Sequence, residues 1–458
     1  MSCIETYNPA TGTLINSFEK DSAASIHDKV VRARAALKTW RHTPMQLRCD
    51  AIKIFAELLN ESRDICAADL SCETGKPIGQ AAGEVKGTQG RLSFFLEHAP
   101  AVMETQVLAD HQSGTAEEIR YEPLGVVVNI SAWNYPYFVG TNVIVPALLT
   151  GNVVLYKPSE LALQTGVHIT RLLHQAGIPK DVFQMIVGDG VTGAQLLDEN
   201  IDGVFFTGSY ATGKKIAEHT AGRMLKLQLE LGGKDPAYIC EDVNIDKVAK
   251  NIVEGCFYNA GQSCCAIERV YIASGIYEEF TEAFVSAAKD WRIGDPKNQA
   301  TRLGPLTRPA QSTVLDAQVS DALAQGATLL LPGGPDDRPG SFYRPVVLGD
   351  TTHKMTVMKE ESFGPIIGLQ PVKSDEEALT LMQDTSYGLT ASVFTQDEDR
   401  AQKLLAQIDS GTVYWNCSDR VSPHLPWSGR GHSGVGLTCS VAGIQTFVRP
   451  KAWQLRRP

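Results

Sequence analysis

Three stretches carry side chains able to do covalent or acid–base chemistry. Phe257-Tyr-Asn-Ala-Gly-Gln-Ser-Cys264-Cys265 sets a thiol just after a glycine-containing turn. Such a thiol becomes a nucleophile when its pKa is lowered or a base is adjacent. Free cysteine is also among the most buried residue types, so inert packing is the competing expectation. Leu225-Lys-Leu-Gln-Leu-Glu-Leu231 alternates strictly, which puts Lys226, Gln228 and Glu230 on one face of a strand. Glu230 would stand at the strand's mouth, just before Gly232-Gly233. The alternation by itself favours a half-solvated edge strand. Ser131-Ala-Trp-Asn134-Tyr-Pro136 follows an apolar strand. The Asn134 amide there can donate to an oxyanion or shape the proline turn.

Two further stretches suit a nucleotide. Gly203-Val-Phe-Phe-Thr-Gly-Ser-Tyr-Ala-Thr-Gly213-Lys-Lys215 reads as strand, glycine-bounded turn and helix, whose free N–H groups suit an anion. It departs from the phosphate loop at Lys215, where a hydroxyl is required. It departs from G-x-G-x-x-G because Ser209 is followed by Tyr210 where glycine is wanted. In Tyr156-Lys-Pro-Ser-Glu160, Lys157 and Glu160 at a strand's carboxyl end can grip a ribose. The alternative is a helix start, capped by Ser159 with Glu160 in its first turn.

These residues need a scaffold. Strands are expected at 125–130, 152–156, 182–187 and 203–207, with a helix over Ile169, Leu172, Leu173 and Ala176 that stops at Gly177. Alternation at this spacing implies an α/β protein with a doubly wound parallel sheet, which binds nucleotides at the carboxyl ends of its strands. Helices are expected through Ile26–Trp40 and after Pro44, and a second sheet from strands at 343–348, 365–369 and 390–394. Polar residues 104–120 interrupt the first unit as a loop or a β-extension. The 458 residues are enough for two to three domains. A net charge of −10 gives nucleic acid or an anionic membrane no overall attraction. No apolar run nears a membrane span and the first residues lack a signal-peptide layout. The ten cysteines then read as reduced thiols in a cytoplasm, and no spacing suggests a metal site.

Taken in order, the motifs resemble the aldehyde dehydrogenase superfamily. They are Tyr7-Asn-Pro-Ala-Thr-Gly12, Trp133-Asn-Tyr-Pro136, Lys157-Pro-Ser-Glu160, Phe206-Thr-Gly-Ser209, Leu229-Glu-Leu-Gly-Gly233, Gly261-Gln-Ser-Cys264, Glu361-Ser-Phe-Gly-Pro365, and Pro426-Trp427 with Ser433-Gly-Val-Gly436. The resemblance implies a Rossmann-like NAD-binding domain (1–103 and 124–232), an α/β catalytic domain (233–440), and a β-extension (104–123 and 441–458) that builds a homodimer or homotetramer. It implies Cys264 as the nucleophile, Asn134 and the Cys264 N–H as oxyanion donors, and Glu230 as the base that activates water on a thioester. It implies NAD contacts at Ile130, Ser131, Ala132, Trp133, Lys157, Ser159, Glu160, Gly188, Phe206, Thr207, Gly208, Ser209, Gly213, Leu231, Gly232, Glu361 and Phe363. Glu160 argues for NAD over NADP, because a carboxylate about 4 Å from a 2′-phosphate repels it by roughly 1–4 kcal/mol. Tyr135 and Trp427 are expected to line the substrate tunnel.

Two departures stand out. Many relatives have Arg-Glu where this chain has Leu437-Thr438, and a Trp where it has Asn142. Asn416-Cys-Ser418 and Pro426-Trp427 look like the betaine- and aminoaldehyde-oxidising branch, whose aromatic walls hold a cation. A semialdehyde would instead want a cation, for which Arg420 is in the right segment. A CoA-acylating enzyme is disfavoured by Glu230, and a P-loop nucleotide hydrolase by Lys215. A cysteine hydrolase would need a histidine near Cys264.

Overall fold

A computed structural model of the chain describes residues 2–110, 114–418 and 420–456. Two central sheets organise it. In the first, the parallel strands Lys226–Glu230, Gly203–Thr207, Val126–Ile130, Val153–Lys157 and Phe183–Met185 lie side by side in that order. Val126, Val127 and Val128 are fully buried, as expected of a strand covered on both faces. The helices Ala23–Trp40, Met45–Glu61 and Ile78–Val102 pack around this sheet with Pro136–Leu149, which is buried along almost its whole length. The helix Leu163–Gln175 ends as expected before Gly177, which takes the left-handed φ of +94°.

The second sheet has seven strands, in the order Thr328–Leu331, Val346–Gly349, Ile366–Val372, Ile267–Ala273, Asp235–Ile239, Thr390–Phe394 and Thr412–Trp415. Only Thr328–Leu331 among these runs antiparallel. The chain passes from one sheet to the other through Leu231-Gly-Gly-Lys234. Residues 104–120 belong mostly to strands. Gln106–Ala109 and Thr115–Pro123 form a three-stranded antiparallel sheet with Val448–Arg456.

Several local expectations are corrected. The strand ending at Glu230 is not a solvated edge. Gly434–Val435 pairs with it on its outer side, and Gln228 and Glu230 are buried. The 182–187 strand shrinks to Phe183–Met185. The 343–348 strand is divided at Pro345, because proline has no N–H for the ladder. Tyr343–Arg344 pairs with Gly334–Pro335, and only Val346–Gly349 enters the sheet. The helix after Lys157 begins at Leu163, so Ser159 and Glu160 lie in the connection and are not its cap. Among the described residues, no helix is long and apolar enough to cross a membrane.

The C-terminal segment is tied to the first sheet by Phe447, which stacks on Phe205 at 4.4 Å between ring centroids. Both rings are buried. Phe205→Ala is expected to lower stability by about 3–5 kcal/mol, the usual cost of emptying a buried aromatic site, read as a fall in chemical-denaturation midpoint.

Candidate active site

Two cavities meet at the carboxyl end of the first sheet. The larger, about 810 Å³, runs along Ile130, Ser131, Ala132, Trp133, Lys157, Ser159, Glu160, Phe206, Gly208, Ser209, Gly232, Glu361 and Phe363. The smaller, about 540 Å³, is walled by Arg91, Tyr135, Phe138, Asn142, Tyr258 and Trp427 among others. Thr207, Glu230, Leu231 and Cys264 line both. The thiol and the carboxylate thus stand where the two spaces join. Gly188 and Gly213, expected as cofactor contacts, are not on the wall. A Cβ on Gly188 would meet Thr192 Oγ1 at 2.1 Å, and one on Gly213 would meet Leu231 Cδ2 at 2.6 Å, so both glycines serve close packing behind it.

The Cys264 loop is shaped by a left-handed run, Asn259 (φ 53°), Ala260 (φ 56°) and Gly261 (φ 69°). Such a run is costly for non-glycine residues and needs support. The Asn259 amide donates to Gln262 O at 3.1 Å, and Gln262 Nε2 donates back to Asn259 O at 3.1 Å. The loop leaves Cys264 partly exposed, while Ser263 and Cys265 on either side are buried. Asn134 is buried, and its Nδ2 donates to Gln262 O at 3.2 Å. The Asn134 carbonyl accepts from Lys76 Nζ at 2.6 Å and from Asn259 Nδ2 at 3.3 Å. Lys76 is fully buried and ion-paired with Glu84, whose other oxygen accepts the Tyr137 N–H at 2.9 Å. Nothing in the sequence around Lys76 and Glu84 marked this anchor, because two charges eight residues apart read as surface.

Burial pushes the Glu230 carboxyl up to about 7, against the donors Thr438 and Gln228 and the charge of Arg91. Thr438 Oγ1 donates to Glu230 Oε1, and Gln228 Nε2 donates to the same oxygen at 3.3 Å. Thr438, expected from the sequence to be a departure from the family pattern, thus holds the Glu230 carboxyl. On the wall of the larger cavity, the Glu361 carboxylate accepts the Gly233 N–H at 3.1 Å, and burial, then the charge of Glu268, pushes its pKa up to about 8. Its loop is clamped by Glu268, which accepts from Ser362 N at 2.8 Å, Phe363 N at 3.0 Å and Lys234 Nζ at 2.7 Å. Trp133 meets Phe363 edge to face at 5.7 Å. Lys234 and Glu268 were not legible as site residues. Among the described residues, no group of His, Cys, Asp and Glu could hold a metal ion.

This arrangement combines a long groove at the strand ends with a thiol, an amide donor and a carboxyl pushed up to about 7 at its inner end. A model of the aldehyde dehydrogenase family matches residues 1–453. The chain belongs to the aldehyde dehydrogenase family. The enzyme is an NAD(P)-dependent aldehyde dehydrogenase and has that family's α/β fold. It is 33% identical over 447 residues to the succinate-semialdehyde dehydrogenase [NADP(+)] of Deinococcus radiodurans, covering 97% of this chain and 93% of that protein. It is 32% identical to the chloroplastic betaine aldehyde dehydrogenase of Amaranthus hypochondriacus, covering 98% and 92%. The crystal structure of an NAD-dependent aldehyde dehydrogenase from Sinorhizobium meliloti superposes with a TM-score of 0.96 at 30% identity, covering 100% of this chain and 92% of that one.

The buried ion pair behind Asn134 gives a stability test. Lys76→Met leaves Glu84 unpaired in the interior and is expected to cost about 3–5 kcal/mol. A Lys76→Met/Glu84→Leu double variant should recover part of that loss in the same denaturation assay, because no lone charge remains.

Proposed function

We propose that the enzyme oxidises an aldehyde to the carboxylic acid with NAD, through a thioester on Cys264 that Glu230-activated water hydrolyses. The observation that carries this reading is the placement of Cys264 and Glu230 at the junction of the two cavities. One cavity is a groove along the strand ends, suited to a dinucleotide, and the other an aromatic pocket, suited to an aldehyde. The Cys264 thiolate adds to the aldehyde carbon. The Asn134 amide, which spends one of its two N–H groups on Gln262 O, and the Cys264 N–H hold the resulting oxyanion. As the oxyanion collapses to the thioester carbonyl, the substrate carbon gives up its hydrogen with two electrons as hydride, for which NAD held in the groove would supply the acceptor. Glu230 then takes a proton from water as its oxygen attacks the thioester carbon, and the C–S bond breaks to return the Cys264 thiolate and release the acid.

The groove fits the cofactor in its chemistry. Lys157 is a buried cation at a strand end, with Glu160 exposed beside it on the rim. Ser209 caps the helix Tyr210–Thr220, whose N-terminus faces the same groove with Gly208 and Thr212. Glu160 supports NAD over NADP by charge repulsion. We further propose the three-stranded sheet of 106–109, 115–123 and 448–456 as the oligomer-building extension.

The first test follows NADH absorbance over an aldehyde panel. Wild type should turn over and Cys264→Ala should lose activity by at least about 10³-fold; retained activity would remove Cys264 from the chemistry. Glu230→Gln should keep a pre-steady-state NADH burst while turnover falls by roughly 10²-fold or more. Because Glu230 must be deprotonated to act, kcat should rise with pH through about 7. Thr438→Val removes a donor that favours the carboxylate, so this limb should move to higher pH, measured as a kcat profile. Glu160→Gln should narrow the ratio of kcat/KM for NAD to that for NADP.

A further inference from the structure

The aromatic pocket contains a buried cation that the mechanism above does not use. Arg91, on the helix Ile78–Val102, is only 5% exposed and lines the pocket shared with Cys264 and Glu230. A guanidinium carries five N–H donors and a fixed charge. Among the described residues, its hydrogen-bond acceptors are all neutral. Nη1 donates to Asn142 Oδ1 at 3.0 Å and to Cys439 Sγ at 3.6 Å, and Nη2 to Val421 O at 3.4 Å. The guanidinium lies over the Phe138 ring at 4.3 Å. No described carboxylate is within ion-pair distance, in contrast to Lys76 and Lys234, each of which has its own glutamate. Glu230 shares the pocket and feels the Arg91 charge, but no hydrogen bond or ion pair joins them, and its donors are Thr438 and Gln228.

Desolvating a guanidinium with no directly bonded carboxylate is expensive, and a carboxylate that enters the pocket and bonds to it offsets that cost. We propose that Arg91 binds a carboxylate at the far end of the substrate, so that the preferred substrates are ω-carboxy aldehydes. This rests on the thioester reading and narrows it. The pocket's remaining features agree. Arg420 and Glu254, which also line it, are exposed, so neither supplies a buried charge. The Tyr135 ring already takes the Lys76 ammonium at 3.9 Å, which leaves that wall poorly suited to a second, substrate-borne cation. A trimethylammonium aldehyde would in addition face the Arg91 charge in a low-dielectric space. Asn142 lines the pocket beside Arg91 and serves as its acceptor.

The test compares wild type on linear ω-carboxy aldehydes of increasing length, their methyl esters, and a trimethylammonium aldehyde of matched length. The free acid should exceed its ester in kcat/KM by roughly 10- to 100-fold, mostly through KM, and the cationic aldehyde should be the poorest. Arg91→Met should collapse the acid-to-ester ratio toward one, whatever happens to the absolute rates, and Arg91→Lys should keep part of it. A wild-type ratio near one, or a ratio unchanged in Arg91→Met, overturns the proposal. A variant that only loosened helix packing would lower both rates and leave the ratio alone. If Arg91→Met does not fold, the wild-type ratio and Arg91→Lys decide. Failure of the thioester reading looks different: esters as well as acids would give no NADH, or Cys264→Ala would remain active.

Discussion

The chain crosses between its two sheets at Gly232-Gly233, and the absence of side chains there lets the site close up. A Cβ on Gly232 would lie 2.2 Å from Glu361 Oε1, and one on Gly233 would lie 2.7 Å from the Cys264 carbonyl. Neither fits without moving backbone or a buried carboxylate. Through this close approach the end of the strand Lys226–Glu230, the Cys264 loop and the Glu361 loop converge on one point. The Gly233 N–H then fastens Glu361. Each of the three segments has its own element behind it, but only the stripped crossing allows them to share a wall.

Charge does the fine positioning. Lys76 with Glu84 holds the Asn134 carbonyl, and Lys234 with Glu268 holds the loop that carries Glu361 and Phe363. Both pairs are buried, where an unpaired charge is costly and a satisfied network is stiff. They add rigidity to loops that regular secondary structure does not reach. Glu230 and Arg91 are treated differently. Glu230 has two neutral donors on one oxygen and the Arg91 charge nearby, and burial outweighs them and pushes its carboxyl up to about 7. Arg91 makes only neutral hydrogen bonds, to Asn142, Cys439 and Val421, which leaves room for the substrate carboxylate proposed above.

Much of this was legible in the chain itself. Composition, apolar runs and glycine stops specified an α/β protein with strands at 125–130, 152–156 and 203–207, which form within one residue of those bounds, because those signals act within a few residues. Motif order marked Cys264, Glu230 and Asn134 and most of the groove. Pattern alone failed where distant segments compete for the same atoms. The Glu230 strand alternates like a solvated edge, but Gly434–Val435, some two hundred residues later, covers it. Ser159 and Glu160 look like a helix cap but end up on the rim of the groove.

The sequence by itself determined the local alphabet: which segments become strands, where helices stop, and which residue types stand ready for thiol and carboxyl chemistry. Tertiary structure decided their environments. Whether Glu230 is solvated or buried, whether Arg91 has a counter-ion, and which of ten cysteines faces a junction of cavities are properties of desolvation and of partners far away in the chain. Those energies depend on three-dimensional neighbours, and no window of sequence contains them.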